Sequence, residues 1–184
     1  MSMYVDLTQM DAHVVAVLKG PPQDHRLTFA AEGNDASDVI YDGTLCSLNA
    51  NGKLVKGVDA GTGTNLPMPL FACTNYYDNG VRMLCQQVFG GLYMTLVATG
   101  GYEIETTEYD ATATYAPNDA LVPATSANAG KVTKATTAVY GAAPVVGIVS
   151  QGTRADDSGL TPVNRLAFWA VFIPANTAAE SSSL

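Results

Sequence analysis

Apolar residues in this chain fall in short runs, closed again and again by glycine or proline. The stretch from Tyr102 to Tyr115 is the clearest. Tyr102, Ile104 and Thr106 alternate with Glu103, Glu105 and Thr107. Tyr109, Ala111, Ala113 and Tyr115 then alternate with Glu108, Asp110, Thr112 and Thr114. A period of two predicts a half-buried strand or hairpin. The parity changes between Thr106 and Tyr109, and one extra residue turns every later side chain to the opposite face. A bulge or turn is therefore predicted there. Glu103, Glu105 and Glu108 read as the solvated face.

Further strands are predicted at Arg26 to Ala31, around Val39 to Tyr41, at Arg82 to Phe89 and at Leu92 to Ala98. Gly90-Gly91 and Gly100-Gly101 close the last two. The run Leu166 to Ile173 is apolar without alternation, which predicts burial on both faces until Pro174 ends it. The N-terminal stretch is ambiguous. Asp6 with Gln9 makes a capping box, and Leu7, Met10, Val14, Val17 and Leu18 fall at helical spacing before Lys19-Gly20-Pro21. Val14 to Leu18 also suits a strand. A third reading makes residues 1–22 an arm that docks on a partner. A β domain follows over 23–174, and 175–184 is a small, polar, flexible tail. The fold class is mainly β: a barrel, a tulip or a sandwich of short strands, with one short N-terminal helix on the first reading.

Two stretches resemble each other. Asp42-Gly43-Thr44-Leu45-Cys46-Ser47-Leu48-Asn49-Ala50-Asn51-Gly52-Lys53-Leu54-Val55-Lys56 has the same plan as the segment from Asp119 to Lys134. Each holds an acidic turn, an apolar lead-in, an Asn-containing loop, Gly-Lys, and a second Lys three residues on. Each is followed by a strand opened by proline, Pro69 to Cys73 and Pro144 to Val149. Asn and Gly supply the positive φ of a tight reversal, so each is predicted to be a hairpin. The units near 42–73 and 119–149 suggest an internal duplication or a pseudo-two-fold arrangement.

Composition narrows the class. Of 184 residues 47% are hydrophobic and only 14% charged, which excludes disorder. The net charge of −8, with nine Lys and Arg spread thinly, leaves no basic face, so no direct nucleic-acid contact is expected. No apolar run approaches membrane length, and no basic region leads an apolar stretch, so neither a membrane span nor a secretory signal is expected. The three cysteines, Cys46, Cys73 and Cys85, lack CxxC spacing and read as reduced core residues of a protein folded in the cytoplasm.

Catalytic patterns are missing. The two histidines, His13 and His25, have no paired partner, and there is no GxSxG or HExxH. Gly61-Thr62-Gly63-Thr64-Asn65 lacks the third glycine of a dinucleotide loop, and Asp156-Asp157 lacks EF-hand spacing. Glu103, Glu105 and Glu108 suggest a glycosidase pair only superficially. Among the nine tyrosines, Tyr76-Tyr77 in a turn is the candidate for a sugar-stacking surface. No catalytic, cofactor-binding or metal residue is expected, and the chain reads as a non-enzyme.

Leu121, Gly130-Lys131-Val132, the small-residue loop and Val145-Val146-Gly147-Ile148-Val149, closed by Leu166 to Ile173, form a pattern. It resembles the head decoration, or cement, proteins of tailed phages, including the lambda-like group. The likeness covers the C-terminal two-fifths and, less fully, the 42–73 copy. It implies a barrel-like or tulip-like fold and docking on the major capsid protein at the virion exterior. It also implies reinforcement of the shell and self-association, with a trimer favoured. Two copies of the unit in one chain leave a dimer or an internally pseudosymmetric monomer open. The rival readings are a tail or baseplate adaptor and a carbohydrate-binding module.

Overall fold

The computed structural model describes residues 15–19, 26–30, 40–58, 68–72, 75–78, 81–84, 92–97, 102–136, 141–156 and 163–175. Its strands are β1 (Val15–Lys19), β2 (Arg26–Ala30), β3 (Leu45–Leu48), β4 (Leu54–Lys56), β5 (Leu70–Ala72), β6 (Asn75–Asp78) and β7 (Val81–Leu84). They continue with β8 (Leu92–Val97), β9 (Glu103–Thr106), β10 (Ala120–Pro123), β11 (Val132–Lys134), β12 (Val145–Asp156) and β13 (Val163–Ile173). The protein is mainly β, an open sandwich of two sheets. One sheet runs β11-β10-β12-β13-β9-β1-β6-β7 and the other β2-β8-β5-β3-β4. β1 pairs in parallel with β6 and antiparallel with β9. A 3-10 turn at Ser126–Asn128 is the helical piece among the described residues.

The core lies between the sheets. Tyr102, Ile104, Leu121, Val146, Leu166 and Phe168 meet Leu45 and Phe71 there. The Phe71 and Phe168 rings sit 5.5 Å apart and tilted by 57°, the kind of offset contact aromatic quadrupoles favour. This packing explains the glycine of the Val-Val-Gly-Ile-Val motif, since a Cβ on Gly147 would lie 2.5 Å from the Phe168 ring. The other face of the smaller sheet carries Ile40, Cys46, Leu54, Leu70 and Ala72. Cys46 is a buried free thiol, pushed up by desolvation. Cys73 and Cys85 lie outside the described residues.

Several expectations change. The helix reading gives way at Val15–Lys19 to a strand that lies inside the larger sheet, between β9 and β6. Its backbone groups are used on both sides, so these five residues are not a free arm; residues 1–14 lie outside the described part. The alternation after Thr106 is not a continued strand. β9 ends there, Glu108 N–H bonds back to Thr106 Oγ1 at 3.0 Å, and turns follow. Tyr109 and Tyr115 are nonetheless buried, edge to face at 5.6 Å. β13 is buried on both faces only at Leu166–Phe168; beyond that Trp169 and Ile173 are exposed. No strand forms at 40–43, which is a turn; Val39 lies outside the described residues.

The two hairpins share much of their backbone bonding. β3 pairs with β4 and β5, and β10 pairs with β11 and β12, all antiparallel. Gly43 (φ 84°) and Asn118 (φ 72°) hold the same left-handed position before the first strand. Each is set in a turn: Thr44 N–H to Tyr41 O in one, Asp119 N–H to Ala116 O in the other. In each turn the last side chain accepts from the first N–H, at Thr44 Oγ1 and Asp119 Oδ2. Gly43 N–H bonds Ala72 O as Asn118 N–H bonds Val149 O. Gly57 N–H bonds Leu45 O as Ala135 N–H bonds Ala120 O, both at 2.8 Å. Asn49 N–H bonds Lys53 O as Ala124 N–H bonds Lys131 O, both at 2.9 Å.

The contact between the units is one-sided. Gly130 of the second hairpin lies over the base of the first, and its carbonyl accepts Leu45 N–H at 2.7 Å. A Cβ on Gly130 would meet Lys56 Cγ at 2.7 Å and Thr44 Cγ2 at 2.8 Å. Gly52, its counterpart, has nothing within 4 Å.

Two outcomes are expected. Gly130→Ala combines a left-handed φ with overpacking and should cost about 2–4 kcal/mol in chemical denaturation, against about 1 kcal/mol for Gly52→Ala. Equal losses would contradict the contact. Deletion of residues 1–20 removes an internal strand and should abolish the cooperative thermal transition; an unchanged melt would place β1 wrongly.

Candidate functional site

The densest polar feature is a charged ladder on β9. Alternation sends Ile104 into the sandwich and Glu103 and Glu105 to the opposite face of the sheet. That face is not wet there: both glutamates are 0% exposed, and Glu108 is buried as well. The solvated-face expectation is thus corrected for all three. A buried carboxylate is costly unless it is paired, and here partners arrive from three other strands of the sheet, β12, β13 and β1.

Glu105 sits between two guanidiniums. Arg154, from β12, contacts Oε2, and Arg165, from β13, lies 3.4 Å from Oε1. Strand register brings them together, since Arg154 pairs with Arg165 and Glu105 pairs with Ala167 two residues along. Glu103 is held from the other side. Lys19 Nζ, from β1, lies 2.8 Å from Oε2 as a close ion contact rather than an aligned hydrogen bond, and Gln151 Nε2 donates to Oε1 at 3.3 Å. Lys19 also lies 5.5 Å from the centre of the Trp169 ring. Desolvation would push the Glu103 carboxyl up. The Lys19 ammonium, with the nearby polar groups of Ser150 and Gln151, outweighs it and holds the group below its usual range.

This arrangement clamps strands: each carboxylate oxygen of Glu103 and Glu105 faces a cation or an amide donor from another strand. Among the described residues no group of three or more His, Cys, Asp or Glu is placed to hold a metal ion. No helix among them is long and apolar enough to cross a membrane.

The other singled-out residues scatter. Tyr76 and Tyr77 lie in strand β6, not in a turn, paired with Met83 and Arg82. Asp156 ends β12. His13, His25, residues 61–65 and Asp157 lie outside the described residues. The half-exposed aromatic that sequence reading missed is Trp169, 36% exposed beside Lys19. It was hidden in an unbroken apolar run. A second anchored carboxylate, Asp119, takes Lys134 at 2.8 Å and the Ala116 N–H, which hold it below the usual range. No family model, no curated protein and no solved structure matches this chain.

Glu105→Gln removes the buried carboxylate that Arg154 and Arg165 share and should cost about 3 kcal/mol of unfolding free energy. The pH dependence has a definite sign. A carboxyl lowered in the folded state adds stability above its unfolded value of 4.5, and that stability is lost as pH falls through the folded value. Denaturation midpoints should therefore drop below about pH 4.5, and Glu103→Gln should flatten the drop. An equally steep drop in that variant would remove Glu103 from the account.

Proposed function

We propose that this chain is a structural virion protein that binds the outer surface of an assembled phage capsid and stabilises it against internal DNA pressure. One observation carries the reading. The residues behind the resemblance, Leu121, Gly130-Lys131-Val132 and Val145 to Val149, fold as one three-stranded unit, and the same unit occurs again at β3–β4–β5. β11 and β4 lie at the ends of their sheets, where hairpins can meet a partner. The partner is the major capsid protein, and the reading assigns no enzyme activity, cofactor or metal.

The mechanism is mechanical. A protein that touches several capsid subunits gains its full buried area only on the intact lattice, so it stabilises the assembled state by mass action. Several weak contacts held by one rigid body give avidity without a large single interface. The clamped larger sheet supplies rigidity, and net charge −8 favours solubility before docking.

The test is binding to shells assembled from the major capsid protein encoded beside this chain. Saturable binding to intact shells, weaker binding to free capsid subunits and a raised disruption temperature of the shell are expected. Absence of binding to intact shells would contradict the reading. Electron microscopy separates this role from a tail or baseplate adaptor by location. The exposed Trp169 beside Lys19 gives the sugar-binding alternative its structural foothold, and a glycan array tests it.

A further inference from the structure

We propose that copies of this chain associate head to tail, with the β3–β4 loop of one copy, led by Gly52, seated on the base of the β10–β11 hairpin of the next. The inference goes beyond capsid docking and does not depend on it.

The pattern for the contact is already inside the molecule. The loop of the second hairpin covers the base of the first through Gly130, with its carbonyl on Leu45 N–H and its α-carbon between Thr44 and Lys56. Leu45 and Thr44 are 0% exposed there, and Gly57 is buried. A contact in which a loop meets a base, and not its own counterpart, is heterologous. Such a contact between two like units leaves one unused loop and one unused base.

Both are present; the loop is preformed, and at the base the Lys134–Asp119 ion pair, 2.8 Å, spans the gap and must swing aside on docking. The unused loop is that of the first hairpin: residues 50–53 are exposed, Gly52 already holds φ 71°, and its α-carbon faces open space. The Gly-Lys step that leads from Gly130 into β11 leads from Gly52 into β4. The unused base is that of the second hairpin. Asp119, Ala120, Lys134 and Ala135 stand where Thr44, Leu45, Lys56 and Gly57 stand in the first, by the matched hydrogen bonds. Each of the four is partly exposed, whereas Thr44, Leu45 and Gly57 are buried. Ala120 accepts the Ala135 N–H toward the open end of the hairpin, and its own N–H points the same way, as that of Leu45 points to Gly130.

The occupant is therefore a second copy. Its Gly52 carbonyl would take the Ala120 N–H, and its bare α-carbon would pass between Asp119 and the Lys134 stem. The pocket admits glycine because a Cβ at the internal counterpart has no room. The two hairpin loops differ by the 3-10 turn at Ser126–Asn128 before the glycine, and the turn closes on Gly52 N–H in the first loop and on Lys131 N–H in the second. One loop in one pocket is a small interface, so association is weak in dilute solution. It grows where copies are crowded or held in place. A chain with one loop and one base forms closed rings or open strings according to the rotation between copies.

Sedimentation velocity from about 1 μM to about 1 mM tests this, a range that brackets weak association. Wild-type protein is expected to shift from monomer to larger species. Gly52→Ala blocks the loop and Ala135→Arg blocks the base, and each alone should weaken association at least about tenfold. An equimolar mixture restores one good contact and should give a 1:1 heterodimer and nothing larger. A second measurement on the wild type needs no variant to fold: in a mixture of 14N and 15N protein, an amine-reactive cross-linker should join Lys53 of one isotope to Lys134 of the other. Wild-type protein that stays monomeric throughout, or larger species without that mixed-isotope link, overturns the proposal. Single variants that are folded by thermal melt yet associate like wild type overturn it as well.

Discussion

The fold turns on one point where a side chain is missing. Gly130 sets its backbone against Leu45, Thr44 and Lys56, at distances that leave no space for a methyl group. The hydrogen bond it accepts is ordinary in strength, worth about 1 kcal/mol net. Its importance is topological. Leu45 belongs to the smaller sheet and Gly130 to the hairpin that edges the larger one. The contact fixes how the two repeated units meet, and Phe71 on Phe168 then fills the space between the sheets. It also makes the relation one-directional. A two-fold arrangement would bring Gly52 onto Ala120 within the same chain, and Gly52 stands in the open instead.

The charged ladder does a different job in the same sheet. β9 is buried on both faces, with Ile104 in the sandwich core and Glu103 and Glu105 on the far side. Two guanidiniums and an ammonium from β12, β13 and β1 bind those carboxylates across strand boundaries. Truncating Lys19 strips the nearest cation from a buried Glu103 carboxylate, and truncating either arginine halves the counter-charge on buried Glu105, so the set ties strand register to charge pairing. Lys19 is 62% exposed and keeps its pairing with Glu103 at the wet end of the ladder. A sheet whose strands are locked in this way suits a protein proposed to bear load on a capsid lattice.

Much of the sheet was legible from the sequence because turn residues mark its ends. Glycine, asparagine and proline bracketed both hairpins, and β5, β8 and β12 lay close to where apolar runs placed them. Three things were not legible. Alternation at Glu103 and Glu105 told which residues share a face, but the cations that cover that face come from residues far along the chain. The N-terminal run Val14 to Leu18 satisfies helix and strand periodicity alike, and pairing with β9 and β6 decides it. The alternation of Tyr109 to Tyr115 came from a looped segment, where Tyr115 OH donates to Asp110 O and Thr112 binds the Asp110 carboxylate. Local hydrogen bonds of this kind imitate a strand pattern without strand geometry.

The central claim is that two like units meet through a single one-way contact. Native-state hydrogen exchange on dilute protein addresses it at two amides that the matched bonding makes equivalent. Leu45 N–H, bonded to Gly130 O, should exchange only with global unfolding. Ala120 N–H, in the same position of the uncovered unit, should exchange at least about tenfold faster through local opening. Equal protection of the two amides, or a Leu45 amide as labile as the exposed loop at Gly52, would contradict the account.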